Sequence, residues 1–205
     1  MNIIHRSYQR YQQWCEAMLR FDGVPALLLR LYLAPVMMQA GWNKYQHFSD
    51  TVEWFGNTEW GLGLPFPVVL TTLAILAELL GAALLLAGAL TRLVTLPLMM
   101  TMLVAITTVH WPYGWLAIAD ASSWLADGTL FSNASVQAAP EKLAAANAIL
   151  QQHGNYEWLT SSGKLVILNN GIEFAATYFL LLLALFFIGG GRYVSVDYWL
   201  KRRLS

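Results

Sequence analysis

The stretch FPVVLTTLAILAELLGAALLLAGAL, from Phe66 to Leu90, decides the class of protein. Its only charged side chain is Glu78, and its apolar residues run continuously, without the alternation of a β-barrel strand. A helix that crosses the roughly 30 Å hydrocarbon core of a bilayer needs about 20 predominantly apolar residues. The stretch therefore predicts a membrane-spanning helix.

The composition of the whole chain supports a membrane protein. Of its 205 residues, 57% are hydrophobic and 12% are charged, which is about half the charged fraction of a soluble domain. The high hydrophobicity excludes intrinsic disorder. Twelve basic residues balanced by twelve acidic ones offer no basic surface for nucleic acid. The single cysteine, Cys15, excludes a disulfide within the chain.

Three other stretches have the length and hydrophobicity of spans, at about 24–43, 93–111 and 170–188. We predict one all-α domain over residues 1–205, an integral membrane bundle of four transmembrane helices. An N-terminal interfacial helix and a helical outer cap complete this fold class. The segments outside the spans are an amphipathic interfacial helix at 1–22, an extracytoplasmic insertion at 112–165 with a short helix opened by Pro140, and a cytoplasmic tail at 192–205.

Basic residues are distributed unevenly between the two sides of the predicted spans. Because cytoplasmic loops carry the excess of Lys and Arg, both termini are predicted to be cytoplasmic. The cytoplasmic side has Arg6, Arg10, Arg20, Arg92, Arg192, Lys201, Arg202 and Arg203, and the outer side has Lys44, Lys142 and Lys164.

Two ionisable side chains are predicted in the lower half of the membrane. At about 1.5 Å per residue, Arg30 lies roughly 9 Å and Glu78 roughly 18 Å from the cytoplasmic side. Ionisable groups at such depths mark function or a structural pair. These depths are compatible with an Arg30–Glu78 ion pair, which would fix the register of the bundle without performing chemistry.

A second polar layer is predicted near the outer third of the membrane, where Gln39, His110 and Glu173 lie at about 22–26 Å. A histidine beside a carboxylate can relay protons or bind a quinone carbonyl. His110 and Glu173 are therefore candidate catalytic residues. The alternative is that these side chains only join neighbouring helices.

A metal site is not predicted. Histidines 5, 47 and 153 are isolated and lack the spacing of metal ligands. Five methionines offer soft ligands for copper, although methionine is more often an ordinary packing residue. These methionines are Met37, Met38, Met99, Met100 and Met102.

Several motifs together resemble the DoxX family. They are Arg30 followed by AGWNK (Ala40 to Lys44), GLGLPFP (Gly61 to Pro67), AELLGAALLLAGALTR (Ala77 to Arg92), VHW (Val109 to Trp111) and GGGRYVSVD (Gly189 to Asp197). Within this family the chain is most similar to the HvfX-like branch. That similarity lies in RLYLAPV (Arg30 to Val36), DTVEWFGN (Asp50 to Asn57), GWLAIADASSWLA (Gly114 to Ala126), HGNYEWLT (His153 to Thr160) and LNNGIEFAATYF (Leu168 to Phe179).

The resemblance implies a four-helix protein of the bacterial inner (plasma) membrane, accessory to a membrane redox system or to the maturation of copper-binding peptides. Its implied partners are the lipid bilayer, a modified peptide, peptide-maturation enzymes and further copies of the chain. The cofactor is left open, with a quinone favoured over copper.

In the leading hypothesis, His110 exchanges protons with a quinone head group or a peptide thiol, and Glu173 orients it. Gln39, Trp42, Lys44 and Trp111 complete the binding site. Two alternatives remain open: a small oligomeric transporter that exports the modified peptide or a metal, and a membrane scaffold that tethers soluble enzymes through its basic tails. Whether the protein is itself an enzyme is left open.

Overall fold

The computed structural model describes residues 3–204, and within this range the side chains of residues 3, 4, 6 and 20 are left undescribed. The chain is all-helical in this range, with 71% helix and no strands. The predicted fold class of a helical membrane protein is therefore confirmed.

Most helices follow one another closely along the chain, and the longest irregular connections are 57–66, 114–133 and 161–172. Three residues of 3₁₀ helix follow α1 at Leu19–Phe21, and α5 continues into a π-helical segment and a 3₁₀ turn. In order, the α-helices are α1 Ile3–Met18, α2 Gly23–Gln46, α3 Phe48–Gly56, α4 Pro67–Ala87, α5 Thr91–Val104, α6 Ala134–Gln137, α7 Ala139–His153, α8 Tyr156–Thr160, α9 Glu173–Ile188 and α10 Val196–Leu204.

Three of the predicted spans are long and apolar enough to cross a membrane. They are α2, α4 and the continuous helical stretch Thr91–Tyr113. The fourth predicted span stays a prediction. It overlaps α9, a shorter apolar helix that has 16 residues and is therefore about 24 Å long. This helix begins three residues later than predicted, because Asn170 has a φ of 62° and the backbone from Asn169 to Gly171 bonds to a neighbouring segment instead of to α9.

Glycines with positive φ follow the ends of α4 and α9. Gly88 adopts a φ of 67°, and the backbone N–H groups of Gly88 and Ala89 donate to the carbonyls of Leu85 and Leu84. This is the Schellman pattern, which satisfies the last carbonyls of α4. Gly189, with a φ of 77°, follows directly after the end of α9.

The described chain divides into two compact units. The first extends to Met102 and resumes at Tyr178, and the second is Leu103–Thr177. The first unit has a core of fully buried Leu33, Leu85, Leu98 and Leu182, while leucines on the opposite helix faces stay exposed, as lipid-facing side chains would. The second unit has a small core of Leu116, Ala126 and Val136.

The segments outside the spans also contain the predicted helices. The N-terminal segment forms α1, with exposed Tyr8, Tyr11 and Trp14, and the outer connection forms α7, with Pro140 in its first turn. The placement of α1 at the membrane interface stays a prediction.

Candidate functional site

The first unit contains an ion pair between two of its long helices. Lys44 on α2 donates to both carboxylate oxygens of Glu78 on α4, with Nζ–O distances of 2.9 and 2.7 Å. The Glu78 side chain is 3% exposed and that of Lys44 is 25% exposed. The two helices meet closely at Gly41, where an added Cβ would lie only 2.9 Å from Cβ of Glu78. The absent side chain at Gly41 thus lets Lys44, one turn further along α2, reach the carboxylate.

The predicted Arg30–Glu78 ion pair is wrong. Arg30 is fully buried, but its Nη1 donates to the carbonyl oxygens of Leu86 at 3.0 Å and Leu85 at 3.5 Å. Leu85 is seven residues from Glu78, about 10 Å along α4. Because α2 and α4 are antiparallel, Arg30 is level with the end of α4, while Gly41 is level with Glu78.

Arg30 instead holds the segment that follows α9. Its Nη2 donates to the carbonyl oxygen of Val194 at 2.8 Å. Three residues later, the carboxylate of Asp197 accepts from the backbone N–H groups of Leu90 at 2.7 Å and Thr91 at 2.9 Å. The segment is thereby tied both to the end of α4 and to the start of α5, where an acidic group also complements the helix dipole.

In the second unit, two irregular segments are joined into a compact platform, which we define as residues 113–119 and 167–173. Six backbone hydrogen bonds of 2.9–3.0 Å link the two segments. Their donors are the N–H groups of Ala119, Asn169, Asn170, Gly171, Ile172 and Glu173. The buried Asn169 side chain adds bonds to the carbonyls of Tyr113 and Leu116, at 2.8 and 2.6 Å. The platform therefore has fixed carbonyl positions despite lacking regular secondary structure.

His110 is positioned by a π-helical segment and by this platform. It is the last residue of the π-helical stretch Ala105–His110. The π-helix is rare in proteins, and where it occurs it is often at a functional site. Its Nδ1 lies 2.8 Å from the carbonyl oxygen of Asn170. A carbonyl can only accept a hydrogen bond, so Nδ1 is the donor, and Nε2 is left as the ring nitrogen that can exchange a proton.

The platform also explains the position of Glu173. Its Oε2 accepts from the backbone N–H of Ala117 at 2.9 Å, and its own N–H donates to the carbonyl of Trp115. The expected orientation of His110 by Glu173 is corrected by this geometry, since the Asn170 carbonyl holds the ring and Glu173 ties the platform to the first turn of α9.

The other predicted site residues lie on exposed surfaces of their own units. Trp42, 50% exposed, pairs with the ring of Tyr45 at a centroid distance of 5.5 Å, and Gln39 is exposed on the same helix. Trp111 is 65% exposed beside His110 in sequence. Among residues 3–204, no group of three or more His, Cys, Asp or Glu side chains could hold a metal ion.

One acidic group outside the spans has a shifted pKa. The hydroxyl of Ser122 lies 2.6 Å from Oδ1 of Asp120, and the backbone N–H of Ser122 lies 2.9 Å from it. Both hydrogen bonds favour the carboxylate, so they lower the pKa of Asp120. The connection after His110 therefore keeps this negative charge at neutral pH.

Three functional contributions escaped sequence reasoning: Asn169, Asn170 and Asp197. The Asn-Asn-Gly sequence at 169–171 is a turn signal that indicates a break before α9. Asp197 follows the glycine turn by six residues, and the capping of a helix that begins more than 100 residues earlier in the chain leaves no local pattern.

The three long apolar helices and the charged pair between two of them define a helical membrane protein. The DoxX family model matches residues 26–111, so this part of the chain is similar to a DoxX domain. The matched range includes Arg30, Lys44, Glu78 and His110 and ends before the platform. Neither the comparison with curated proteins nor the comparison with solved structures found a match.

Proposed function

We propose that the protein is an accessory component of a membrane redox or peptide-maturation system, of the HvfX-like kind, located in the bacterial inner membrane with both termini in the cytoplasm. Its His110 exchanges protons with the head group of a quinone or with a peptide thiol. The observation that carries this proposal is the fixed tautomer of His110, whose Nδ1–H is bound to the Asn170 carbonyl at 2.8 Å. Such a ring is a positioned base at Nε2.

A quinone fits these residues better than copper does. A quinone head group offers carbonyl oxygens that accept a hydrogen bond from protonated imidazole and hydroxyls that donate to neutral imidazole. When bound, it would supply two-electron redox chemistry, with the electrons coming from a partner oxidoreductase. His110 would pass the protons, and the exposed ring of Trp111 next to it would offer an aromatic surface.

The experiment is a titration of the purified full chain with decylubiquinone. We expect His110→Gln to weaken binding at least tenfold, because glutamine can still donate to the Asn170 carbonyl but presents no titratable nitrogen. His153→Gln is the matched control, since His153 ends the exposed helix α7. Wild-type affinity in His110→Gln would refute the assigned role of His110.

The thiol form of the proposal is tested separately by following the mass of the peptide that is matured in cells. His110→Gln should leave the unmodified peptide, whereas His153→Gln should leave maturation intact. Complete maturation with His110→Gln, together with unchanged quinone affinity, would exclude both forms.

A second candidate function, proton-coupled export by an oligomer, is supported by the Lys44–Glu78 pair. A buried carboxylate and lysine within membrane helices are typical of ion and proton pathways. Export predicts a peptide-dependent pH change inside sealed vesicles that is lost in Glu78→Gln. The accessory function predicts no such flux.

A further inference from the structure

The C-terminal helix α10 presents an apolar stripe in the first unit. Val196, Trp199, Leu200 and Arg203 follow the spacing of one helix face and line a groove of about 490 Å³ together with Ala87. The three apolar side chains are 41%, 46% and 50% exposed. The groove therefore combines an apolar wall with a single cationic end.

Hydrogen bonds of Arg30 and Asp197 fix the position of this groove relative to the ends of α4 and α5. Arg30 binds the carbonyl of Val194, and Asp197 binds the backbone N–H groups of Leu90 and Thr91. The backbone N–H of Asp197 also donates to the carbonyl of Gly88 at 3.0 Å. The stripe thus lies beside the end of α4 and the beginning of α5, where hydrocarbon gives way to head groups if these helices span the membrane.

The charges around the groove are positive. Arg202 lies over the ring of Trp199 at 5.7 Å from its centroid. The carboxylate of Asp197 is occupied by backbone N–H groups, and Asp22 is paired with Arg192 at 2.9 Å. Neither ion pair found within residues 3–204 uses Arg203.

We propose that this groove binds one anionic phospholipid, with its acyl chain against Val196, Leu200 and Ala87 and its phosphate at Arg203. Lipid is the occupant because the groove lies at the ends of apolar helices, and a basic cluster beside a membrane span attracts anionic head groups. Trp199, whose Nε1 donates to the carbonyl of Tyr193 at 2.9 Å, supplies the amphipathic ring typical of this depth. The site is independent of His110, which lies in the second unit.

The test is native mass spectrometry of the full chain titrated with dioleoyl phosphatidylglycerol or dioleoyl phosphatidylcholine. We expect one tightly bound phosphatidylglycerol and at least fivefold weaker binding of phosphatidylcholine. Arg203→Gln should weaken phosphatidylglycerol binding about fivefold, the effect of one basic residue near a membrane surface. Leu200→Ser should weaken the binding of both lipids.

Arg10→Gln is the control, because it removes one exposed positive charge from α1 and should change the affinity less than twofold. Equal losses in Arg10→Gln and Arg203→Gln would overturn the proposal in favour of diffuse attraction. Displacement of the lipid by millimolar inorganic phosphate would show an anion site without a lipid requirement and would also overturn it. Wild-type protein that binds no phosphatidylglycerol would overturn it and favour an acidic protein on the basic tail.

Discussion

At the scale of single residues, the charged side chains of Arg30 and Glu78 have different structural roles. Arg30 is completely buried and satisfies carbonyls at the end of α4 and in the following tail segment, so it joins parts of the chain. Glu78 is neutralised by Lys44, whose long side chain reaches inward from near the end of α2. Removing one partner of such a pair leaves a charge in a poorly solvated place.

We expect Lys44→Met to lower the free energy of unfolding by about 2–4 kcal/mol, somewhat less than for a fully buried pair because Lys44 remains partly exposed. Lys44→Met/Glu78→Met should recover most of this loss, since both charges are then removed. Thermal unfolding in detergent micelles measures the cycle. Lys142→Met, on the exposed face of α7, is the control, and a Lys44→Met effect no larger than this control would contradict the interpretation.

At the scale of elements, the turn between α4 and α5 is the point where three segments meet. Gly88 needs its positive φ to end α4, and a Cβ there would lie 2.6 Å from Cβ of Ser195 and 2.9 Å from Cζ of Arg30. Gly63 has a similar φ of 61° but only ordinary contacts, the nearest at 3.5 Å. Comparing substitutions at the two glycines therefore separates the cost of backbone strain from the cost of close packing.

Gly88→Ala should reduce the free energy of unfolding by about 2 kcal/mol more than Gly63→Ala does. Both substitutions carry the cost of a positive φ, and only Gly88→Ala adds overpacking against Arg30 and Ser195. Denaturant or thermal unfolding of the two variants under the same detergent conditions measures the difference. Equal losses would mean that Ser195 and Arg30 move aside at little cost.

At the scale of the whole molecule, the arrangement of basic residues gives a testable orientation. The sole cysteine, Cys15, lies on α1. A membrane-impermeant maleimide applied to intact spheroplasts should leave Cys15 unlabelled until the membrane is permeabilised. In Cys15→Ser/Ser162→Cys, the new thiol in the exposed segment after α8 should be labelled without permeabilisation. Labelling of Cys15 in intact spheroplasts would reverse the predicted orientation.

The candidate site was predictable in part. Glu78 and His110 stood out because polar side chains interrupt long apolar stretches. The partners of these residues were less accessible to sequence reasoning. Depth along the helices matches Arg30 with Glu78, whereas the close crossing at Gly41 brings Lys44 to the Glu78 carboxylate.

The sequence by itself determined the class of protein and the places of the helices, because hydrophobicity and helix-ending glycines act locally along the chain. Tertiary structure decided which charges pair, which carbonyl holds His110, and where the tail is anchored. Those outcomes depend on antiparallel register and on contacts such as Arg30 with Val194, which are 164 residues apart. The position of the lipid groove beside α10 depends on the same anchoring. The spacing of its apolar residues follows from the local sequence, whereas its place at the ends of the spans follows from tertiary contacts.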